Sequence, residues 1–193
     1  MSGKIFDLPE LNNEPDAPPE VVEKAAKVEI IAMDIDGVLT DGHTWQLDNG
    51  EQLLCFSVQD GVALNLCRYV GVKLVVLSGR NLPAARIRME RFPIDEMRLS
   101  CIDKAAAMKE ISAKHGVAMA RISFIGDDMI DLPLMKLVGL PVAVPNAIPE
   151  VLAAAVWVPV RPGGEGAVRE LITLVLKARR LYVQAVQNYL GDH

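Results

Sequence analysis

Two aspartates with one residue between them, Asp34 and Asp36, open the stretch Asp34-Ile35-Asp36-Gly37-Val38-Leu39-Thr40-Asp41-Gly42. Strand alternation throws both onto one face, where two ionised carboxylates repel unless a cation or a shared proton intervenes. Such a pair suits Mg²⁺, which takes hard oxygen ligands, keeps waters and bridges a carboxylate to a phosphate oxygen. It also suits a division of labour. One carboxylate attacks phosphorus, while the other, kept protonated, serves the leaving alcohol and later takes a proton from water. On its own, an Asp-x-Asp is more often a solvated loop in which Asp36 and Asp41 satisfy backbone N–H groups.

Three further groups carry polar chemistry. Ser78-Gly79-Arg80 offers a hydroxyl and backbone N–H groups suited to phosphate oxygens at a helix start, although a Ser-Gly turn commonly just caps the next helix. Lys104 stands at a predicted helix N-terminus, where the helix dipole disfavours a cation; a bound phosphate offsets that cost, and an exposed lysine in water is the ordinary alternative. Gly126-Asp127-Asp128-Met129-Ile130-Asp131 places three acids within five residues, which favours a metal site over a simple turn. The later glycine and terminal glutamate of an EF-hand loop are absent, and no zinc-type Cys/His cluster lies nearby.

These groups need elements to hold them. Val28 to Asp34, Val72 to Leu77 and Arg121 to Ile125 are short apolar runs that each end in one of the polar loops, the pattern of buried parallel strands. Between them lie helical stretches at Gly61 to Val70, Pro83 to Phe92 and Lys104 to His115, long enough to cross back over a sheet. Further strands are expected at Glu96 to Leu99 and Pro141 to Val144, and helices near Pro149 to Ala155 and Glu165 to Leu181. The alternation predicts a doubly wound α/β domain, whose ligands gather outside the carboxyl ends of the strands. Asp34, Ser78 and Asp127 fall there. The expected organisation is an N-terminal arm over 1–27 with one short helix near Glu20 to Lys27, a domain over 28–176, and a helix or tail over 177–193.

Gly42 to Val58 breaks the alternation. Asp48-Asn49-Gly50 between two β-prone runs predicts a hairpin, projecting from the catalytic edge and packing its exposed apolar residues on another subunit. The 193 residues allow one well-filled core. A formal net charge of −5 argues against a nucleic-acid partner. Cys55, Cys67 and Cys101 lack metal or redox spacing and read as free core thiols. The start of the chain has no signal-like apolar segment and no run is long enough to span a membrane, so a cytoplasmic location is expected.

Taken together, and in this order at successive strand ends, the four groups resemble the haloacid dehalogenase superfamily of phosphatases over about Val28 to Leu176. The resemblance implies a Rossmann-like fold with Asp34 as nucleophile, Asp36 as general acid/base and backbone metal ligand, Ser78 and Lys104 as phosphate-binding groups, and Asp34 and Asp127 as Mg²⁺ ligands. Asp128 and Asp131 would hold waters, Lys104 or the loop. Asp36 to Gly42 followed by the hairpin, Val58-Gln59-Asp60-Gly61, Leu77 to Arg80, Gly126 to Pro133 and Gly163-Gly164-Glu165-Gly166-Ala167-Val168-Arg169-Glu170 resemble the 3-deoxy-D-manno-octulosonate 8-phosphate phosphatases. That family is capless and tetrameric, and serves lipopolysaccharide synthesis.

On that likeness the sugar acid meets Ser57, Val58, Gln59, Asp60, Gly61, Asn65, Arg80, Arg88 and Lys104. Family members commonly carry arginine at the positions of Gln59, Asn65 and Glu165, leaving Arg80, Arg88 and Arg169 as cations here. An amide does not replace the charge-assisted bonds of an arginine to a carboxylate. This difference keeps a phosphatase for a nonulosonate 9-phosphate in view. A catalytically silent oligomerising domain and a phosphoacceptor domain are weaker readings, because all five catalytic-type residues are present and Asp36 would speed loss of an aspartyl phosphate.

Overall fold

The computed structural model describes residues 11–192, so 1–10 of the expected arm lie outside the described residues. In chain order, α1 (Pro19–Ala25) leads to β1 (Ile30–Met33). The hairpin strands β2 (Trp45–Gln46) and β3 (Gln52–Leu53) come next, then α2 (Val58–Cys67), β4 (Lys73–Leu77), α3 (Pro83–Met89), β5 (Glu96–Arg98) and α4 (Lys104–His115). The chain continues through β6 (Ile122–Gly126), α5 (Leu132–Met135), β7 (Leu140–Ala143), α6 (Pro149–Ala154), α7 (Ala167–Ala178) and α8 (Tyr182–Gly191).

Five strands form one parallel sheet in the order β5-β4-β1-β6-β7. Every residue of β1, β6 and β7 is buried, as expected where helices cover both faces of a parallel sheet and the strands read as continuous apolar runs. From β1 the chain winds outward to β4 and β5, then returns to β6 on the other side. Where the winding reverses, the loops after neighbouring strands diverge and leave a crevice at their carboxyl ends. The doubly wound α/β architecture is thus present. No large cap domain covers the crevice among the described residues.

Several boundaries differ from the sequence pattern for local reasons. Helix α2 begins at Val58 because the Ser57 hydroxyl accepts the Asp60 N–H at 3.3 Å, an N-cap that captures a first turn. Helix α1 is bound to the domain: Val21 and Ala25 are buried and the helix lies on α7. The last segment is helical, with Arg180 at φ 59° marking the break between α7 and α8 and Ala185 of α8 buried. Cys67 is a core thiol and burial pushes it up to about 12, whereas Cys55 is exposed, contrary to expectation.

The hairpin forms where Asn-Gly predicts it, with Trp45 opposite Leu53 and Gln46 opposite Gln52. It is shorter than the span 42–58 because only four residues pair in it, while a single bridge between Thr40 and Phe56 closes its base. Trp45 is 67% exposed and Leu53 54%.

Candidate active site

Asp34 follows the last residue of β1, where its amide still donates to Ile125 O across the sheet at 3.2 Å. Its Oδ1 accepts the Ile35 N–H at 2.6 Å, and its Oδ2 meets Lys104 Nζ at 2.8 Å. Lys104 is only 1% exposed, so the solvated alternative for this lysine fails. The Asp103 carboxylate caps α4 by accepting the Ala106 N–H at 2.8 Å, which fixes the turn that aims Lys104 inward. The same ammonium reaches Asp131 Oδ1 at 2.6 Å.

Asp131 Oδ2 accepts the amides of Asp127 at 2.9 Å and Asp128 at 3.4 Å. Asp128 accepts the Met129 N–H at 2.6 Å and forms a reciprocal cap with Asp131. Both residues therefore hold the loop, and Asp131 also holds Lys104. Carboxylate oxygens of Asp34, Asp127 and Asp131 all lie within 4.8 Å of one another. The set thus contains Asp131 in addition to the expected Asp34 and Asp127. The Asp36 side chain instead meets Arg80 Nη1 at 2.8 Å.

The electrostatics follow from burial. Desolvation pushes the Asp34 carboxyl up to about 7 against the pull of Lys104, with Asp131 adding repulsion. Asp127 is likewise pushed up to about 7, by burial first and then by the charges of Asp34, Asp131 and Asp128. Burial alone would favour a neutral Lys104, but the attraction of Asp34 and Asp131 outweighs it and the net direction is upward. Three carboxylates facing one ammonium leave an excess of negative charge on hard oxygens. The Asp127 carboxylate accepts no hydrogen bond from the described residues, so its lone pairs are open. This donor set fits a hard divalent cation.

The backbone around the pair is equally constrained. The Thr40 hydroxyl donates to Ile35 O at 3.3 Å and accepts the Gly37 N–H at 3.2 Å, closing the loop after Asp36. Gly37 has φ +77°, and a Cβ there would overlap the Asp127 carboxylate. Gly163 packs so tightly on Gly37 O that a Cβ would overlap it, while Gly164 N donates to Val38 O at 2.9 Å. Asn146 ties the two segments, accepting the Gly163 N–H at 2.8 Å and donating to Gly37 O at 3.4 Å. Thr40 and Asn146 were not singled out from sequence. Asn146 lies in the loop after β7, three residues past Ala143, so the strand-end rule was the available signal.

Ser78 is buried at the end of β4, and its hydroxyl accepts the Arg80 N–H at 3.1 Å. Ile130 of the Asp127 loop packs over Gly79, so these two strand-end loops touch. Arg80 also reaches the hairpin, donating to Thr44 at 3.2 Å and to Gln52 at 2.7 Å. Gln52 and Thr44 are thus contacts the sequence did not reveal.

The remaining expected contacts scatter. Ser57 and the 75% exposed Val58 begin α2. Asp60 and Gly61 are corrected to scaffold positions. Asp60 is 1% exposed and accepts the Arg169 N–H at 2.7 Å, and Gly61 is covered by Phe92 and Arg88. Arg88 stacks on the Phe92 ring at 4.8 Å. Asn65 donates to Gly61 O at 3.2 Å and lines a cleft with Arg68 and Arg91. Gln59 and Arg169 line a different cavity, whose walls include none of Asp34, Asp36, Ser78, Lys104 or Asp127.

Comparison with known proteins agrees with this geometry. Residues 94–162 match the model of the haloacid dehalogenase-like hydrolases. The 3-deoxy-D-manno-octulosonate 8-phosphate phosphatase KdsC of Salmonella typhimurium is 34% identical over 161 residues, covering 83% of this chain and 86% of that protein. The corresponding phosphatase of Yersinia pestis superposes with a TM-score of 0.84 at 32% identity, covering 86% and 90% of the two chains. The Moraxella catarrhalis phosphatase, solved with magnesium ion, phosphate ion and a KDO molecule, gives a TM-score of 0.86 at 29% identity over 90% and 99%. With a parallel sheet that gathers Asp34, Lys104 and Asp127 at its carboxyl edge and relatives aligned over most of its length, the chain belongs to the 3-deoxy-D-manno-octulosonate 8-phosphate phosphatase family of haloacid dehalogenase-like hydrolases.

Proposed function

We propose that this chain is a Mg²⁺-dependent phosphomonoesterase that hydrolyses 3-deoxy-D-manno-octulosonate 8-phosphate, with Asp34 as the nucleophile. The observation that carries the reading is the buried cluster in which Lys104 holds Asp34 at 2.8 Å beside the open carboxylate of Asp127. Asp34, Asp127 and the Asp36 carbonyl would hold the ion, and Asp131 stands close enough to join them. When bound, Mg²⁺ neutralises the carboxylate excess and draws charge from the phosphoryl oxygens.

In the proposed reaction, the Asp34 carboxylate attacks phosphorus in line as the bond to the sugar oxygen breaks, forming an aspartyl phosphate. Lys104 and the Ser78 loop offset charge on the equatorial oxygens. Asp36 is the proposed acid and base of the cycle: a proton reaches the departing sugar oxygen through it, and its carboxylate, paired with Arg80 here, then takes one from the water that hydrolyses the acyl phosphate and restores Asp34. The Arg80 bond holds Asp36 and ties it to the hairpin residues Thr44 and Gln52. Ser57, Val58, Gln59, Asn65, Arg80 and Arg88 are the proposed contacts of the sugar acid.

Trp45 and Leu53 form an exposed apolar cross-strand pair, which supports packing of the hairpin on another copy in a homotetramer. No helix among the described residues is long and apolar enough to cross a membrane; a cytoplasmic enzyme of lipopolysaccharide sugar synthesis is the proposed setting. Phosphate release is to be measured with octulosonate 8-phosphate, a nonulosonate 9-phosphate and hexose phosphates, with Asp34→Asn as control. Preference for the octulosonate supports the proposal. Preference for the nonulosonate makes Gln59, Asn65 and Glu165 the specificity positions, and no Mg²⁺-dependent turnover of any would sink the enzyme assignment.

A further inference from the structure

Away from the carboxylate cluster, a cavity of about 400 Å³ lies along α7, between α8 and the segment from Trp157 to Arg161. Its volume falls within the range of small-molecule sites, roughly 300–1,000 Å³. Helix α7 contributes Arg169, Thr173 and Lys177 to the wall. Spaced four residues apart, these form one line of donors along the helix, successive members about 6 Å apart.

The donors are uncommitted. The guanidinium of Arg169 and the ammonium of Lys177 make no hydrogen bond or ion pair with the described residues; Lys177 instead stands 5.6 Å over the Tyr182 ring. Both residues are half-buried. Arg169 serves the scaffold through its amide, which Asp60 accepts, and its guanidinium feels that carboxylate only at a distance. Of the two acids in the wall, Glu170 is occupied: its carboxylate accepts the amides of Val160 at 2.7 Å and Arg161 at 3.3 Å. Asp16 is the other. Trp157, Leu174 and Tyr182 add an apolar and aromatic part to the same wall. Partly desolvated donors without acceptors, in one cavity with aromatic side chains, match an anionic head on an apolar body.

We propose that this cavity is an accessory binding site for a small organic anion, whose carboxylate or phosphate is taken by Arg169 and Lys177 and whose apolar part lies on Trp157 and Tyr182. The site lies apart from the carboxylate cluster and shares only Gln59 with the proposed sugar contacts, so its test is a binding measurement rather than turnover. The probe is 1-anilinonaphthalene-8-sulfonate, an aromatic monoanion, titrated by fluorescence against the full chain; N-phenyl-1-naphthylamine serves as its uncharged counterpart. The expected result is one saturable sulfonate site per chain with energy transfer from tryptophan. The transfer is lost in Trp157→Phe and kept in Trp45→Phe. Arg169→Gln combined with Lys177→Gln weakens the sulfonate at least tenfold and leaves the uncharged probe unchanged. Equal binding of the two probes to the unaltered protein, or an unchanged sulfonate affinity in a folded double variant, overturns the proposal.

Discussion

Lys104→Met tests whether the ammonium is what permits two buried carboxylates to share the base of the crevice. Methionine keeps the unbranched stem over Phe124, whose ring lies 5.8 Å from Nζ, and removes only the charge and its donors. Lys104 meets Asp34 at 2.8 Å and Asp131 at 2.6 Å, and removing one partner of a buried pair costs about 3–5 kcal/mol. Two features moderate that cost. Asp131 keeps the amides of Asp127 and Asp128, and Asp34, already pushed up to about 7, moves further up and takes a proton. The expected penalty is therefore about 3 kcal/mol near pH 6. A carboxyl whose folded pKa is raised further above its unfolded value binds more protons when native, so stability falls as pH rises. The penalty should then grow by roughly 1–2 kcal/mol between about pH 6 and pH 8. Urea unfolding of both proteins under chelation reads it directly. A penalty under about 1 kcal/mol, or one that does not change with pH, would refute the assignment of Lys104 as the compensating charge.

Asp34→Asn should lower phosphate release by at least about a thousandfold while the circular dichroism spectrum is kept, because the variant lacks a nucleophile rather than a fold; residual activity within tenfold of the parent would remove the covalent route. Exhaustive chelation should abolish turnover and readdition of Mg²⁺ restore it, and a rate indifferent to chelation would contradict the reading of Asp34 and Asp127 as ion ligands. Gly37→Ala should cost more than about 2 kcal/mol of stability, since its Cβ meets the Asp127 carboxylate in a left-handed backbone; a neutral substitution would show that the loop relaxes freely. Asp60→Asn probes a buried carboxyl pushed from 3.8 up to about 6 by burial, against the pull of the Arg169 amide. The folded state binds the extra proton between those values, so this contribution is fully present below about pH 4 and lost above about pH 6, about 3 kcal/mol at most. Asparagine still accepts the Arg169 amide and carries no proton to lose, so the variant should gain on the parent as pH rises from 4 to 7 in thermal unfolding. Parallel pH profiles would refute the origin of the shift.

The sheet was legible because each buried strand is a short apolar run stopped by a polar loop, and Lys104 to His115 was legible to the residue because Asp103 caps one end and Gly116 at φ 65° the other. The catalytic-type residues followed from those strand ends. What stayed hidden depends on pairings that no local pattern encodes. Thr40 is an ordinary β-branched residue until the loop folds back and its hydroxyl meets the Gly37 amide. Asn146 acquires its role only when Gly163 comes to rest on Gly37, more than a hundred residues away in sequence. Asp60 belongs to a segment expected to touch a sugar, yet the capture of the α7 amide turns its carboxylate inward. The span 177–193 gave no chemical signature, and the break that separates α7 from α8 rests on the left-handed backbone of Arg180 at φ 59°, which no local pattern marks.

Burial also separates the conserving forces on the two halves of the proposed site. Asp34, Lys104 and Asp131 satisfy one another in a desolvated cluster, so a change at any one leaves an unpaired charge whose cost falls on folding as well as on catalysis. Gln59 and Asn65 stand at the rims of open cavities, where an exchange of arginine for amide removes donors without stranding a partner. Substitution at positions 59 and 65 should therefore cost the fold less than substitution within the carboxylate and lysine cluster. Arg80 sits between these regimes: one edge of its guanidinium is fastened to Asp36 and the other to the hairpin through Gln52. Arg80→Lys keeps the charge but loses the planar fork that spans both partners, and the expected loss is in kcat as well as in KM. A change confined to KM would assign Arg80 to substrate binding alone and leave Asp36 positioned by the Gly37 loop without it.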